Sequence, residues 1–159
     1  METSIRTLIV DDEPYSRDEL KHLLGAFPSI KIVGEAESGE SAIMSALQLH
    51  PEVVFMDVEM PKMNGMKAAK ALLELKKAPM VVFTTAYPQF AVEAFRYDAI
   101  DYLLKPYDEE QLQETITRIE KKFTLCCFPV HSELCQYLIF VTGQSFQCTS
   151  YQFFAFSKA

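Results

Sequence analysis

Residues 53–61, with the sequence VVFMDVEMP, decide how this chain folds. The first four are apolar and run directly into Asp57, and a continuous apolar run is typical of a strand buried on both faces of a parallel sheet. A desolvated carboxylate is costly unless it is paired or bound to a metal. Pro61, Asn64 and Gly65 break the chain soon afterwards. We therefore predict that Asp57 ends a buried strand, at the edge where α/β sheets bind ligands.

Apolar strands alternate with periodic helices on both sides of this stretch. The predicted strands cover residues 4–10, 30–33, 53–57, 79–83 and 100–104. A first helix begins at Pro14 and stops near Gly25 and Pro28, and further helices cover residues 39–49, 64–77, 89–97 and 108–122, the last with Asp108 as its cap. This alternation indicates an α/β fold: a flavodoxin-like (βα)5 three-layer sandwich whose parallel five-stranded sheet has the order 2-1-3-4-5.

The composition is that of a globular protein with one domain and a small appendage, since 49% of the 159 residues are hydrophobic and 23% are charged. The net charge of −7 argues against a broad hold on nucleic acid or an anionic membrane. The sequence shows neither an apolar run of roughly 20 residues nor a signal peptide. We therefore expect a cytoplasmic protein.

The character of the chain changes after Phe123. Residues 124–159 contain only Glu133 and Lys158 as formal charges, so the whole net charge belongs to residues 1–123. The four cysteines all lie in this tail, where they are interpreted as apolar filler, with a metal site that includes His131 as the alternative. We predict one domain over residues 1–123 and a short irregular tail over residues 124–159.

Side chains suited to metal and phosphate chemistry follow four of the five predicted strands: Asp11 and Asp12, then Asp57, then Thr84 and Thr85, then Lys105. Taken singly, each has an ordinary explanation as a cap or a turn. In a 2-1-3-4-5 sheet, however, strands 1 and 3 are neighbours, so the three carboxylates converge and would raise each other's pKa unless a cation is present. Mg²⁺ with retained waters suits so few protein ligands. A carboxylate beside Mg²⁺, a hydroxyl and a lysine indicates phosphoryl transfer to Asp57.

These residues lie in four motifs: IVDDE at 9–13, MDVEMPKMNG at 56–65, FTTA at 83–86 and DYLLKP at 101–106. On these motifs, residues 4–123 resemble the receiver domain of bacterial two-component response regulators. The resemblance implies a phosphoprotein of phosphorelay signal transduction, in which a membrane-bound sensor histidine kinase passes a phosphoryl group to Asp57. Such a protein catalyses only its own phosphorylation and dephosphorylation, so it is not expected to be an enzyme with a separate substrate.

The resemblance also implies how the phosphoryl group would be held. Asp12 and Asp57 would bind Mg²⁺ directly, together with the backbone carbonyl of Glu59, and Asp11 would act mostly through water. Lys105 would contact the phosphoryl group, and the Lys105–Pro106 bond is expected to be cis.

The remaining implied roles concern switching. Thr85 corresponds to the switch hydroxyl, and Tyr102 to an aromatic side chain whose rotamer follows the state of Thr85. Glu59 and Tyr87, two residues beyond Asp57 and Thr85, would tune the lifetime of the phosphoryl group. Phosphorylation adds about −1.5 to −2 charges, which can draw Thr85 inward and leave space for Tyr102 to turn in.

The runs AYPQFAVEAF at 86–95 and AIDYLLKPY at 99–107 resemble the LytR/AlgR subgroup, whose receivers precede a LytTR-type DNA-binding domain. The aromatic residues of these runs are interpreted either as core or as a homodimer face formed by helix 4, strand 5 and helix 5. Residues 124–159 have neither the length nor the basic surface of a LytTR domain, so DNA binding is not expected of them. The tail is a small appendage, a dimerisation element or a truncated or frame-shifted remnant; the loss of charge favours the remnant.

Two functions follow from these observations. The first is a phosphorylation-activated switch whose original output, transcription regulation, is missing from this chain. The second is an output-less binding module that acts as a phosphate sink or sequesters partners. A Mg²⁺ phosphohydrolase is disfavoured, because Val58 and Glu59 follow Asp57 with no second aspartate placed as general acid.

Overall fold

The computed structural model describes residues 4–127, 145–149 and 152–156, and it contains the predicted five-stranded sheet. The strands are β1 (Ile5–Val10), β2 (Ile30–Ala36), β3 (Val53–Asp57), β4 (Met80–Thr85) and β5 (Asp101–Leu104). Neighbouring strands are parallel, in the order β2-β1-β3-β4-β5. The predicted flavodoxin-like topology is therefore confirmed, and β1 and β3 lie side by side at the centre.

Five α-helices connect and cover the strands: α1 (Pro14–Leu24), α2 (Gly39–Leu49), α3 (Gly65–Leu73), α4 (Ala91–Ala94) and α5 (Glu109–Cys127). Their first turns carry the expected signals, because Pro14 opens α1 and the Asp108 carboxylate accepts a hydrogen bond from the Gln111 N–H at 2.8 Å. The N-terminus of α3 is capped in the same way by Asn64, whose side chain accepts from the Lys67 N–H at 3.0 Å.

The sheet separates two hydrophobic layers. One layer packs α2 and α3 against the face that includes Leu8, Val54 and Phe83. The other packs α1 and α5 against the face that includes Ile9, Phe55 and Val82. All five residues of β3 are buried, because the strand has neighbours on both sides and helices on both faces. The apolar run of β3 thus reflects burial on both faces of a parallel sheet, as inferred from the sequence.

Several element boundaries differ from the sequence prediction: α3 ends at Leu73, four residues before its predicted end at 77, and β4 continues through Thr85, two residues beyond its predicted end at 83. Strand β2 continues past Gly34, because a register irregularity opposite Thr7 and Leu8 lets the pairing resume. The segment predicted as one helix over residues 89–97 has only one α-helical turn, α4, between 3₁₀ turns at Pro88–Phe90 and Phe95–Tyr97. A helical apolar spacing does not distinguish these two kinds of turn. Helix α5 runs five residues beyond the predicted end at Lys122.

In the tail, the structure describes two strands that the sequence pattern did not predict. They are β6 (Ser145–Thr149) and β7 (Gln152–Phe156), and they pair antiparallel, with Ser145 opposite Phe156. His131, which the alternative metal site would include, lies outside the described residues. None of the described helices is both long and apolar enough to cross a bilayer. The division at residue 123 remains a prediction.

Candidate functional site

Asp57 ends β3 at the carboxyl edge of the sheet, as predicted. It pairs with Thr84 across the sheet and is only 7% exposed. Its Oδ1 atom accepts a hydrogen bond from the Glu59 N–H at 3.1 Å, and its Oδ2 atom lies 2.8 Å from the Lys105 ammonium nitrogen. Burial raises the pKa of Asp57, the hydrogen bond and charge of Lys105 oppose this rise, and the negative charge of Asp11 adds to it.

The turn after β1 brings two more carboxylates to this point. One carboxylate oxygen from each of Asp11, Asp12 and Asp57 lies within 4.8 Å of the other two. Asp11 is buried and accepts a hydrogen bond from the Glu13 N–H at 2.8 Å, whereas Asp12 is exposed. The predicted convergence of the three carboxylates, inferred from strand order, is present.

Lys105 enters the same cluster from the end of β5. Its ammonium nitrogen lies 2.5 Å from Asp11 Oδ2 and 2.8 Å from Asp57 Oδ2. Burial lowers the pKa of Lys105, but the hydrogen bonds and charges of Asp11 and Asp57 outweigh burial and raise the pKa above its ordinary range. The Lys105–Pro106 peptide bond is cis, as expected. Lys105 thus bridges the two buried carboxylates.

The donor set of this cluster fits a hard divalent cation. Three carboxylates and one ammonium leave an excess of negative charge, and all the available ligand atoms are oxygens, which Mg²⁺ prefers. The exposure of Asp12 leaves one side accessible to the waters that Mg²⁺ retains. The Glu59 side chain is exposed and is not one of the three clustered carboxylates, so its contribution would be the backbone carbonyl predicted above.

The predicted switch residues meet at the backbone of Tyr87. The buried Thr85 hydroxyl accepts a hydrogen bond from the Tyr87 N–H at 3.2 Å, and the Tyr102 hydroxyl donates to the Tyr87 carbonyl. Burial raises the pKa of Tyr102, which keeps this hydroxyl protonated as a donor. The side chain of Tyr87 is 44% exposed. A displacement of the Thr85 hydroxyl therefore acts on the residue whose carbonyl oxygen binds the Tyr102 hydroxyl.

Two residues of the site have features that the sequence analysis did not predict. Gly65, read only as a chain breaker, donates its N–H to the Val58 carbonyl at 2.9 Å, and a Cβ there would lie 2.0 Å from the Asp57 carbonyl oxygen. Tyr107, predicted only to lie in the core or on an association face, has a buried hydroxyl that meets no partner in hydrogen-bond geometry among the described residues. A glycine that opens a helix shortly after a buried strand is a sequence signal for the close packing at Gly65. No local sequence feature signals the unpaired hydroxyl of Tyr107.

The sequence also matches a known family. The profile of the response regulator receiver domain matches residues 7–117. The sensory transduction protein LytT of Bacillus subtilis is 44% identical over 117 residues, which cover 74% of this chain and 48% of that protein. The transcriptional regulatory protein BtsR of Salmonella typhi is 40% identical over 118 residues, 74% of this chain and 49% of that protein. The chain spans about half the length of these curated relatives.

Solved structures show the same fold. The receiver domain of AraT, a response regulator from Geobacillus stearothermophilus, superposes with a TM-score of 0.69 at 34% identity, covering 76% of this chain and 96% of that domain. The response regulatory domain of mrkE from Klebsiella pneumoniae gives a TM-score of 0.66 at 31% identity, covering 74% and 99%.

Proposed function

Because this chain belongs to the response regulator receiver domain family, we propose that Asp57 accepts a phosphoryl group from a sensor histidine kinase and thereby switches the protein between two states. The single observation that carries this proposal is the position of the Asp57 carboxylate. It lies at the end of a buried strand, 2.8 Å from the Lys105 ammonium and within 4.8 Å of the Asp11 and Asp12 carboxylates.

The chemistry is a transfer between two nucleophiles. A carboxylate oxygen of Asp57 attacks phosphorus, the bond from phosphorus to the kinase histidine nitrogen breaks, and an acyl phosphate forms. Lys105 offsets charge on the transferred oxygens, and the Glu59 N–H holds Asp57 Oδ1 in place. Mg²⁺, held by Asp12, Asp57 and the Glu59 carbonyl, with Asp11 acting through water, would neutralise further negative charge. Hydrolysis of the acyl phosphate resets the switch, so we propose no turnover of a separate substrate.

The switch is proposed to work through Tyr87. The new phosphoryl oxygens offer strong acceptors near Thr85, and a Thr85 hydroxyl drawn toward them releases the Tyr87 N–H. The Tyr87 carbonyl is the partner of Tyr102, so its movement changes where Tyr102 packs on β5. Glu59 and Tyr87 lie two residues beyond Asp57 and Thr85, and we propose that they tune the phosphoryl lifetime.

The test of the phosphoacceptor is Asp57→Asn. We expect that a small-molecule phosphodonor with Mg²⁺ adds the mass of one phosphoryl group to the wild-type chain and none to the variant, because an amide is a poor nucleophile. Circular dichroism should show that the variant folds. Asp18→Asn is the matched control, since Asp18 lies on α1 and pairs only with Lys21 among the described residues. Stoichiometric labelling of Asp57→Asn would refute the assignment.

The proposed partner surface is the face formed by α4, β5 and α5. Leu104 on β5 is 37% exposed, and at the other end of this strand the Asp101 carboxylate pairs with Arg118 of α5. We propose that phosphorylation promotes a homodimer through this face. Sedimentation velocity of the phosphorylated and unphosphorylated protein tests this, and an unchanged mass on phosphorylation at high concentration contradicts it.

A second candidate function is a phosphate sink or partner-sequestering module. The charge distribution favours it, because residues 124–159 have only Glu133 and Lys158 as formal charges, so this stretch contains few cations that could pair with DNA phosphates. Fluorescence anisotropy with duplex DNA discriminates the two candidates. Salt-dependent DNA binding that requires phosphorylation would favour a switch that regulates transcription and would rule out the phosphate-sink function.

A further inference from the structure

A second layer of side chains lies behind the carboxylate cluster, and Arg17 is its central member. Arg17 lies on α1, and its side chain is only 15% exposed. Its Nη1 atom donates to the Asp11 backbone carbonyl at 2.6 Å, and its Nε atom donates to Glu35 of β2 at 3.3 Å. The guanidinium therefore joins α1, the end of β1 and β2.

The carbonyl that Arg17 binds has a particular place in the chain. It belongs to the peptide unit that links Asp11 to Asp12, two of the three clustered carboxylates. The Asp11 N–H is already fixed by the Ala36 carbonyl at 3.1 Å, and the Asp11 Oδ1 atom by the Glu13 N–H at 2.8 Å. Arg17 adds a constraint on the backbone itself. By binding the Asp11 carbonyl oxygen, it fixes the plane of the peptide unit that leads to Asp12.

Glu35 orients the guanidinium and also binds a second cation. The Lys21 ammonium lies 2.9 Å from Glu35 Oε1 and 2.9 Å from Asp18 Oδ1. Lys21 therefore shares a partner with Arg17 and carries the same charge. The contacts of Lys21 nevertheless lie on α1 and β2 and do not include the Asp11–Asp12 peptide. The chain thus provides its own control for the effect of charge alone.

We propose that Arg17 is a positioning residue for the divalent cation site, which it preorganises by fixing the Asp11–Asp12 peptide. The inference rests on the proposed function, since it assumes that Mg²⁺ binds the cluster. Groups that orient metal ligands from the second layer typically change metal affinity by about 10- to 100-fold when they are removed.

The sign of the effect separates positioning from electrostatics. A nearby positive charge repels Mg²⁺, so removing Arg17 would tighten cation binding if charge were its only influence. Removing a group that holds two ligands in place has the opposite effect, because the carboxylates must then be ordered by the cation itself. The two explanations predict changes in opposite directions.

The experiment measures binding of Mg²⁺ alone by isothermal titration calorimetry, without a phosphodonor. We expect Arg17→Met to weaken Mg²⁺ binding about 10-fold. Arg17→Lys, which keeps the charge but not the planar fork, should weaken it as well. Lys21→Met should bind Mg²⁺ as the wild type does or slightly more tightly. Equal or tighter binding by Arg17→Met overturns the inference.

Three further outcomes are decisive. Should Arg17→Met fail to fold by circular dichroism, Arg17→Lys decides, and wild-type affinity in that variant refutes the positioning role. A wild-type chain that binds no Mg²⁺ and takes no phosphoryl group contradicts the proposed function itself. A wild-type chain that binds Mg²⁺ and is phosphorylated, with unaltered affinity in both Arg17 variants, contradicts only this inference.

Discussion

At the scale of single residues, the site contains charged groups that pair with one another and one buried hydroxyl, that of Tyr107, that does not. Asp11, Asp57 and Lys105 satisfy one another, whereas the buried Tyr107 hydroxyl has no partner in hydrogen-bond geometry within the part of the chain that the structure describes. Its ring packs against the hydrophobic layer formed with α1 and α5. An unsatisfied buried polar group costs about 1–3 kcal/mol. Packing of the ring therefore fixes the position of Tyr107, although its hydroxyl lacks a hydrogen bond there.

Tyr107→Phe should stabilise the protein by about 1 kcal/mol, because it removes the unpaired hydroxyl and keeps the ring. Urea unfolding at neutral pH measures the change. Tyr15→Phe is the matched control and should have no effect, since Tyr15 is 82% exposed. A clear loss of stability in Tyr107→Phe would mean that the hydroxyl has a favourable partner.

The same tyrosine predicts an alkaline effect. Burial raises the pKa of Tyr107 to about 12 from 10.0, the charge of Lys105 and a weak polar contact with Thr84 outside hydrogen-bond geometry lower it, and the charges of Asp11 and Asp57 raise it. Below pH 10 the raised pKa of Tyr107 makes its full contribution to the free energy of unfolding. As the pH rises toward 12, about 2–3 kcal/mol of this contribution is lost, because the unfolded chain releases the proton at a lower pH than the folded chain. Wild type should therefore lose more stability than Tyr107→Phe over this interval, and parallel curves would contradict the prediction.

At the scale of elements, the approach of α3 to β3 decides the shape of the site. The strand ends at Asp57, and α3 begins only eight residues later with Gly65. The Asn64 cap and the hydrogen bond from the Gly65 N–H to the Val58 carbonyl bring the first turn of α3 against the strand end. At this distance there is no room for a side chain at position 65.

Gly65→Ala should destabilise the protein by at least about 2 kcal/mol, because the added Cβ would lie 2.0 Å from the Asp57 carbonyl oxygen and backbone atoms must move. It should also slow labelling of Asp57. Thermal unfolding and mass-shift labelling measure the two effects. Gly25→Ala is the control: Gly25 has right-handed helical backbone angles, and an added Cβ would lie 3.2 Å from the His22 carbonyl oxygen, so we expect a change within about 0.5 kcal/mol.

At the scale of the whole molecule, both hydrophobic layers lie within the part of the chain that carries the site. Their members run from Ile5 to Phe123, and Phe123, in the second half of α5, packs against the layer that contains Leu112 and Ile116. The described strands of the tail pair with one another. We expect the receiver fold to form from residues up to the end of α5, because the described members of the two layers, from Ile5 to Phe123, already cover both faces of the sheet.

A chain shortened to residues 1–127 should keep its unfolding free energy within about 1 kcal/mol and should still be labelled on Asp57. A chain that ends at Lys122 is the control, because it lacks Phe123 and should lose about 1 kcal/mol or more through lost apolar burial. Urea unfolding compares the two. A shortened 1–127 chain that fails to fold would show that the tail supports the domain.

The sequence by itself determined the strand order and which charged side chains meet at the carboxyl edge of the sheet. Apolar runs specify buried strands, helical periodicity gave α2 with its observed bounds, and strand order brought Asp11, Asp12, Asp57 and Lys105 to one edge. These features follow from local burial patterns and from the topology of parallel sheets.

Tertiary structure alone decided which partners each side chain has. The contact of Arg17 with the Asp11 carbonyl, the closeness of Gly65 to Asp57 and the unpaired Tyr107 hydroxyl depend on how helices pack against the sheet. The short α4 and the paired strands of the tail were likewise not predicted from the local sequence pattern. Sequence spacing specifies which face of an element is apolar, but hydrogen bonds form between atoms from different elements, whose distances are set only when the whole domain packs.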